Sequence, residues 1–254
     1  MDLFPDSLWS SEFATSLDVA VRACRLTEAV ANEAAGLSSL ANADLSPVTV
    51  GDFAVQALVI SRMHAQLPEA GFVAEESADV LRKDRMLMRR VAELVGRFGG
   101  AGERLKGDEV VELIDLGGEH KDGERRKKVF VPDPVDGIRS FVGGRQYCIA
   151  LGVLDGAEVK MGLLGCLRLP LSFGECGKQQ VGCVLYAIQG EGAWMVALDG
   201  VEAGGKGEPV RVASEADRSV AVFTDSVEFV HSSHELSARI SSIFERRFTT
   251  RADG

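Results

Sequence analysis

The sequence predicts a protein of the α/β class, its helices and strands stacked as α+β layers, and three observations carry that expectation. Helical periodicities open the chain, short apolar runs punctuated by glycine fill its second half, and 46% of its 254 residues are hydrophobic, enough for a sizeable core. Phe13, Leu17, Ala20, Val21, Cys24, Ala31 and Ala35 recur at nearly helical spacing. They predict one amphipathic helix from about residue 10 to 40, its last turn weakened by Gly36. Phe53, Ala54, Ala57, Leu58 and Ile60 form a second apolar face that begins after Ser46-Pro47-Val48-Thr49 and runs to about Gln66. Between Ala78 and Lys128 charges and glycines thicken around a short helical piece near Met86 to Phe98, and the stretch reads as a partly mobile insertion between core elements. Four runs then read as strands joined by tight turns such as Asp155-Gly156: Tyr147 to Leu154, Val159 to Leu164, Gly182 to Ile188 and Ala193 to Leu198. Gly200 to Gly207 reads as a loop.

Composition narrows the function classes. A net charge of −10 argues against a broad nucleic-acid or anionic-membrane surface, since both need clustered Lys and Arg. Any anionic substrate must then be held locally, most simply through metal ions. No apolar run approaches the roughly 18 residues that span a bilayer. The opening Met1-Asp-Leu-Phe-Pro-Asp lacks the basic start of a secretory signal, so the expected compartment is cytoplasmic. Cys24, Cys148, Cys166, Cys176 and Cys183 make no CxxC pair and sit mostly among apolar or small residues, as buried structural cysteines do.

The chemistry concentrates in Val131-Pro-Asp-Pro-Val-Asp-Gly-Ile-Arg-Ser-Phe141. Asp133 and Asp136 flank Pro134, which stiffens the turn, and Gly137 permits a tight exit into a helix. Carboxylates placed so close repel unless a cation lies between them, and Mg²⁺ takes carboxylate oxygens together with water and substrate phosphate. The following helix would aim free N–H groups at that phosphate. The alternative is a surface turn whose aspartates only cap the helix. Two further acidic segments bear on the choice. Glu75 and Glu76 follow the strand-like Gly71-Phe-Val-Ala, where a solvated strand end is the competing role. Asp52 closes Thr49-Val50-Gly51-Asp52, which has the form of a capping box.

Together Ser46-Pro-Val-Thr-Val-Gly-Asp52, Gly71-Phe-Val-Ala-Glu75-Glu76-Ser77 and Asp133-Pro-Val-Asp136-Gly resemble the three ordered motifs of the lithium-sensitive, magnesium-dependent phosphomonoesterases, the superfamily of inositol monophosphatase and fructose 1,6-bisphosphatase. The resemblance runs from about Ser11 to Arg247. It is nearest to the 3′(2′),5′-bisphosphate nucleotidase branch on three features: the Ser-Pro-Val-Thr wording, the Gly162-Leu-Leu-Gly165-Cys166 strand turn, and Val227-Glu-Phe-Val-His231-Ser-Ser-His234, which is similar to an adenosine-site segment.

That resemblance implies an αβαβα sandwich, with residues 1–199 as an N-terminal metal-binding domain and 200–254 as the start of a C-terminal α/β domain. It implies a Mg²⁺ cofactor held by Glu75, Asp133, Asp136 and the backbone carbonyl of Val135, with Asp52 helping to activate the attacking water. Gly137 and Ile138 would hold the scissile phosphate, and His231, Ser232, Ser233 and His234 would lie beside adenosine 3′,5′-bisphosphate. With no third ligand near His231 and His234, a zinc site is not expected there. The implied reaction is removal of the 3′-phosphate to leave AMP. Two departures qualify it. Ile138 replaces a threonine whose hydroxyl orients the attacking water in the family, which implies slower turnover. The family also continues beyond the point matching Gly254, through a Trp-Asp motif that contributes to the second metal. A non-catalytic metal- or nucleotide-binding relative and an inositol phosphate phosphatase are the alternative readings.

Overall fold

The computed structural model describes residues 10–36, 47–100, 105–118, 128–171, 181–202 and 207–212, with isolated positions at 235, 236, 239 and 242. The chain divides into two units, Met1–Val210 and Arg211–Gly254. In the second, the Ser242 hydroxyl donates to the Arg239 carbonyl at 2.7 Å.

The first unit opens with helices α1 (Ser10–Gly36) and α2 (Pro47–Gln66). Along α1 the expected apolar face is buried from Phe13 to Cys24, and Ala31 is half-buried. Helix α2 starts at Pro47, whose missing N–H would have no helical partner at that position. From Phe53 to Ile60 it is buried all round, as befits a helix between a sheet and other helices.

The sheet follows chain order: β1 (Gly71–Phe72), β2 (Lys128–Asp136), β3 (Cys148–Asp155), β4 (Glu158–Pro170), β5 (Val181–Ile188), β6 (Gly192–Ala197) and β7 (Glu208–Val210). All neighbours are antiparallel except β1 with β2. Register aligns the inward side chains in rows across the strands. Phe130, Val153, Met161 and Ile188 make one row; Pro132, Leu151, Leu163, Tyr186 and Trp194 make the next. Such cross-strand rows are the unit of sheet stability, and here α1 and α2 cover them. The segment Gly162 to Cys166, read from sequence as a strand turn, runs within β4. There Gly165 is required by close approach, since a Cβ would stand 2.7 Å from Cys24 Sγ of α1.

A parallel β1–β2 pair needs a crossover, and the stretch from Ala78 to Lys128 supplies it. It carries α3 (Asp79–Lys83), α4 (Arg85–Phe98) and α5 (Gly107–Gly118). Asp84 caps α4, its carboxylate accepting from the N–H groups of Met86 and Leu87 at 2.9 Å each. Leu87, Val91, Leu94, Val95, Val110 and Ile114 are buried, so α4, the helical piece expected near Met86 to Phe98, and α5 contribute to the core within the stretch read as a partly mobile insertion. Of the charges that suggested otherwise, Arg82, Lys83 and Arg85 are exposed, and Arg82 pairs with Asp115, while Lys121 to Lys127 lie outside the described residues. Helix α7 (Leu198–Glu202) likewise occupies the start of the expected Gly200 to Gly207 loop, because Leu198 is buried and Asp199 pairs with Arg25 of α1 at 2.5 Å. No helix among the described residues is long and apolar enough to cross a membrane.

Candidate active site

The acidic turn begins with an irregularity in β2. Asp133 faces Ala150 and Asp136 faces Cys148, so three steps along β2 match two along β3. The extra residue is a β-bulge. In a regular strand, residues three apart point to opposite faces; the bulge resets that alternation. Pro132, Pro134 and Val135 are buried while Asp133 and Asp136 are both exposed. Pro134 suits the bulge, where a missing N–H removes no ladder bond.

Gly137 follows with φ +99°, in the left-handed region, and a Cβ there would press on Tyr147 at 3.4 Å. It leads into α6 (Ile138–Val142), with Ile138 exposed at the first position. Phe141 meets Tyr147 edge-on at 5.0 Å, and the Tyr147 hydroxyl donates to Thr27 Oγ1 of α1 at 2.8 Å. The turn is thus anchored from below by two aromatic rings.

Asp52 reaches the same region from α2. Gly51 lies over Val135 and Phe141, where an added Cβ would sit 3.9 Å from each, which sets the next residue beside the turn. The capping box expected for Thr49 and Asp52 is not formed: α2 already begins at Pro47, so Thr49 lies within its first turn and Asp52 in its second. That frees Asp52 for another role. Burial, then the charges of Glu76, Glu75 and Asp133, push its carboxyl up from 3.8 to about 7. Asp133, exposed as a residue but with its carboxyl partly desolvated, is raised too, first by that desolvation and then by Asp136 and Glu75, and Glu76 by burial and Glu75. The charges acting on Asp52 are therefore all acidic.

Glu75 and Glu76 stand on a segment tied down on three sides. The Val73 N–H donates to the Phe130 carbonyl of β2 at 2.9 Å, and the Ala74 N–H to the Gly117 carbonyl of α5 at 3.1 Å. Gln56 of α2 then holds both backbone groups of Glu76. Glu75 is exposed and Glu76 half-buried.

Asp52, Glu75, Asp133 and Asp136 are thus brought to one region as electrostatic neighbours. Among the described residues, however, no three His, Cys, Asp or Glu side chains are gathered closely enough to hold a metal ion as they stand. Carboxylate oxygens of this kind suit Mg²⁺, and a cation beside Asp52 and Asp133 would favour their ionised forms. Val135 is buried against Gly51. His231, Ser232, Ser233 and His234 lie outside the described residues.

Sequence reasoning missed two neighbours. Cys148 is half-buried, with its thiol 3.8 Å from Asp136 Oδ2 and its pKa pushed to about 11 by burial and by Asp136 and Asp133. Its signal was the strand register, which one sequence alone does not supply. Gln56 is the other. A polar side chain alone in the apolar run from Phe53 to Ile60, one turn beyond Asp52, could have been noticed.

Comparison with known proteins follows the same lines. Residues 12–251 match the inositol monophosphatase family. A 3′(2′),5′-bisphosphate nucleotidase 1 of Arabidopsis thaliana is 32% identical over 251 residues, 92% of this chain and 69% of that protein. A 3′(2′),5′-bisphosphate nucleotidase of Dictyostelium discoideum is 32% identical over 200 residues, 78% of this chain and 58% of that protein. This chain thus spans roughly three fifths to two thirds of the length of the curated relatives it matches. Among solved structures, Mycobacterium tuberculosis SuhB shares the fold, with a TM-score of 0.51 at 17% identity over 91% of this chain and 65% of that one.

Proposed function

Because this chain belongs to the inositol monophosphatase family, matched over residues 12–251, we propose that it is a Mg²⁺-dependent phosphomonoesterase acting on the 3′-phosphate of adenosine 3′,5′-bisphosphate. The observation that carries this reading is the placement of Asp52 on α2 between the two acidic segments: Gly51 packs on Val135 of the β2 bulge, and Gln56 holds the backbone of Glu76. Its nucleotide part is supported by the names of the relatives, bisphosphate nucleotidases of Arabidopsis and Dictyostelium.

In this reading Glu75, Asp133, Asp136 and the Val135 carbonyl hold the cation. When bound, Mg²⁺ supplies a water of lowered pKa and neutralises phosphate charge. Asp52, which α2 sets beside the β2 turn, takes the proton of the attacking water. The N–H groups of Gly137 and Ile138, at the entry of α6, hold the phosphate oxygens. His231, Ser232, Ser233 and His234 are assigned to the nucleotide. The free thiols of Cys24, Cys148, Cys166 and Cys183 suit the reducing cytoplasm we assign it to.

Phosphate release measured with millimolar Mg²⁺ tests the proposal. Adenosine 3′,5′-bisphosphate should be hydrolysed in preference to inositol 1-phosphate. The reverse order would move the assignment to an inositol phosphate. Binding of Mg²⁺ with hydrolysis of neither would make the chain a non-catalytic relative.

A further inference from the structure

The strongest unexplained feature is a glutamine with no solvent contact. Gln56 is fully buried, yet both ends of its carboxamide are used. Nε2 donates to the Glu76 carbonyl at 3.0 Å, and Oε1 accepts from the Glu76 N–H at 2.9 Å. A single side chain thereby pairs with both backbone groups of one residue, as a neighbouring strand would. A carboxamide carries a donor and an acceptor side by side whatever the pH, as a carboxyl does only when protonated. Asp52 and Gln56 are four residues apart on α2 and so share a face of the helix.

We propose that Gln56 is a positioning residue for the metal site, locking the backbone that carries Glu75 and Glu76 in register with Asp52; this rests on the metal-site reading above. Strand β1 ends at Phe72, so the sheet ladder does not reach the glutamates. Gln56 takes over where the ladder stops. Helix α5 backs the same segment: its Gly117 carbonyl accepts the Ala74 N–H, and a Cβ on Gly117 would stand 2.8 Å from the Ala74 Cβ and 3.3 Å from Gln56 Nε2. The base and one metal-facing segment are therefore set by a single helix turn, and a shift of α2 moves both together.

The test titrates Mg²⁺ alone into the full chain, by calorimetry, for the wild type, Gln56→Met, Gln56→Asn and the core variant Leu94→Ala on α4. Methionine keeps the length and removes the polar pair; asparagine keeps the amide but falls one methylene short, and serves if the methionine variant does not fold. Hydrogen exchange at the Glu76 amide, without metal, reports whether the clamp has opened. Loss of an outer partner of this kind weakens metal binding on the order of 10- to 100-fold. We expect that loss, with faster Glu76 exchange, in either Gln56 variant and an unchanged dissociation constant in Leu94→Ala. A wild type that binds no Mg²⁺ removes the metal-site reading and this inference with it. Unchanged affinity in the Gln56 variants, or equal weakening in Leu94→Ala, overturns the positioning role while the metal site stands.

Discussion

A branched alkyl group at position 138 sits where the family resemblance places a threonine hydroxyl. Ile138 is half-exposed at the entry of α6, so its side chain is not needed to fill the core. Both residues branch at Cβ, and exchanging them changes backbone preference little. Ile138→Thr is therefore expected to restore a hydrogen-bonding group beside the attacking water and to raise kcat for 3′-phosphate release by about tenfold or more, with Mg²⁺ affinity unchanged. Steady-state kinetics on the two proteins check this, and equal rates would make Ile138 a tolerated substitution. Asp52 makes a prediction of opposite kind, on stability. Its carboxyl is raised in the folded protein from 3.8 to about 7, so folding favours its protonated form. Without metal, this group costs nothing below its unfolded value; the cost grows as pH rises through that window and is complete above about 7. Thermal unfolding in chelator should show Tm falling over that range, and Asp52→Asn should flatten the fall. An unchanged slope would mean that Asp52 is not the destabilised charge.

Elements carry the parts of the site that single residues do not reveal. The helices α1 and α2 and the strand meander were legible because their signals are local: a 3.6-residue period from Phe13 to Cys24, and glycine turns such as the one at Gly156 between β3 and β4. The acidic motifs were legible for the same reason, since Asp133 and Asp136 are sequence neighbours. What pairing decides was not. The β2 bulge exists only relative to β3, and the clamp between Gln56 and Glu76 spans 20 residues. Charge misled the reading of α5, where Asp108, Glu109 and Glu112 line the outside while Val110 and Ile114 reach the core. Gly165 offers a test of packing between elements. Gly165→Ala places a methyl 2.7 Å from Cys24 Sγ, on the contact of α1 with β4. Overpacking of this sort costs roughly 1–3 kcal/mol, so a lower denaturation midpoint is expected, with recovery when Cys24→Ala is added. Failure of the second change to recover stability would place the strain elsewhere.

Across the whole molecule, the acidic site and the fold are two sides of one balance. The sheet and its covering helices hold Asp52, Glu75, Glu76, Asp133 and Asp136 in one region, and the carboxyls of Asp52, Glu76 and Asp133 are raised first by burial and then by their acidic neighbours. A divalent cation that binds only the folded arrangement removes the repulsion and adds binding energy, so stability must rise with its concentration. The gain follows the logarithm of concentration over dissociation constant, about 2.7 kcal/mol at a hundredfold excess over that constant. Mg²⁺ should therefore raise Tm in a dose-dependent way, and the effect should strengthen as pH rises, because protons compete for the same oxygens. Asp136→Asn separates this from a general salt effect. It removes one charge from the exposed rim of the site and no core contact, so the metal-free variant should be as stable as the wild type or slightly more so, while most of the Mg²⁺-dependent gain disappears. Ionic strength held constant with a monovalent salt isolates the divalent contribution, since simple screening does not distinguish the two proteins. Equal stabilisation of wild type and Asp136→Asn would show that the carboxylates of the β2 bulge do not hold the ion.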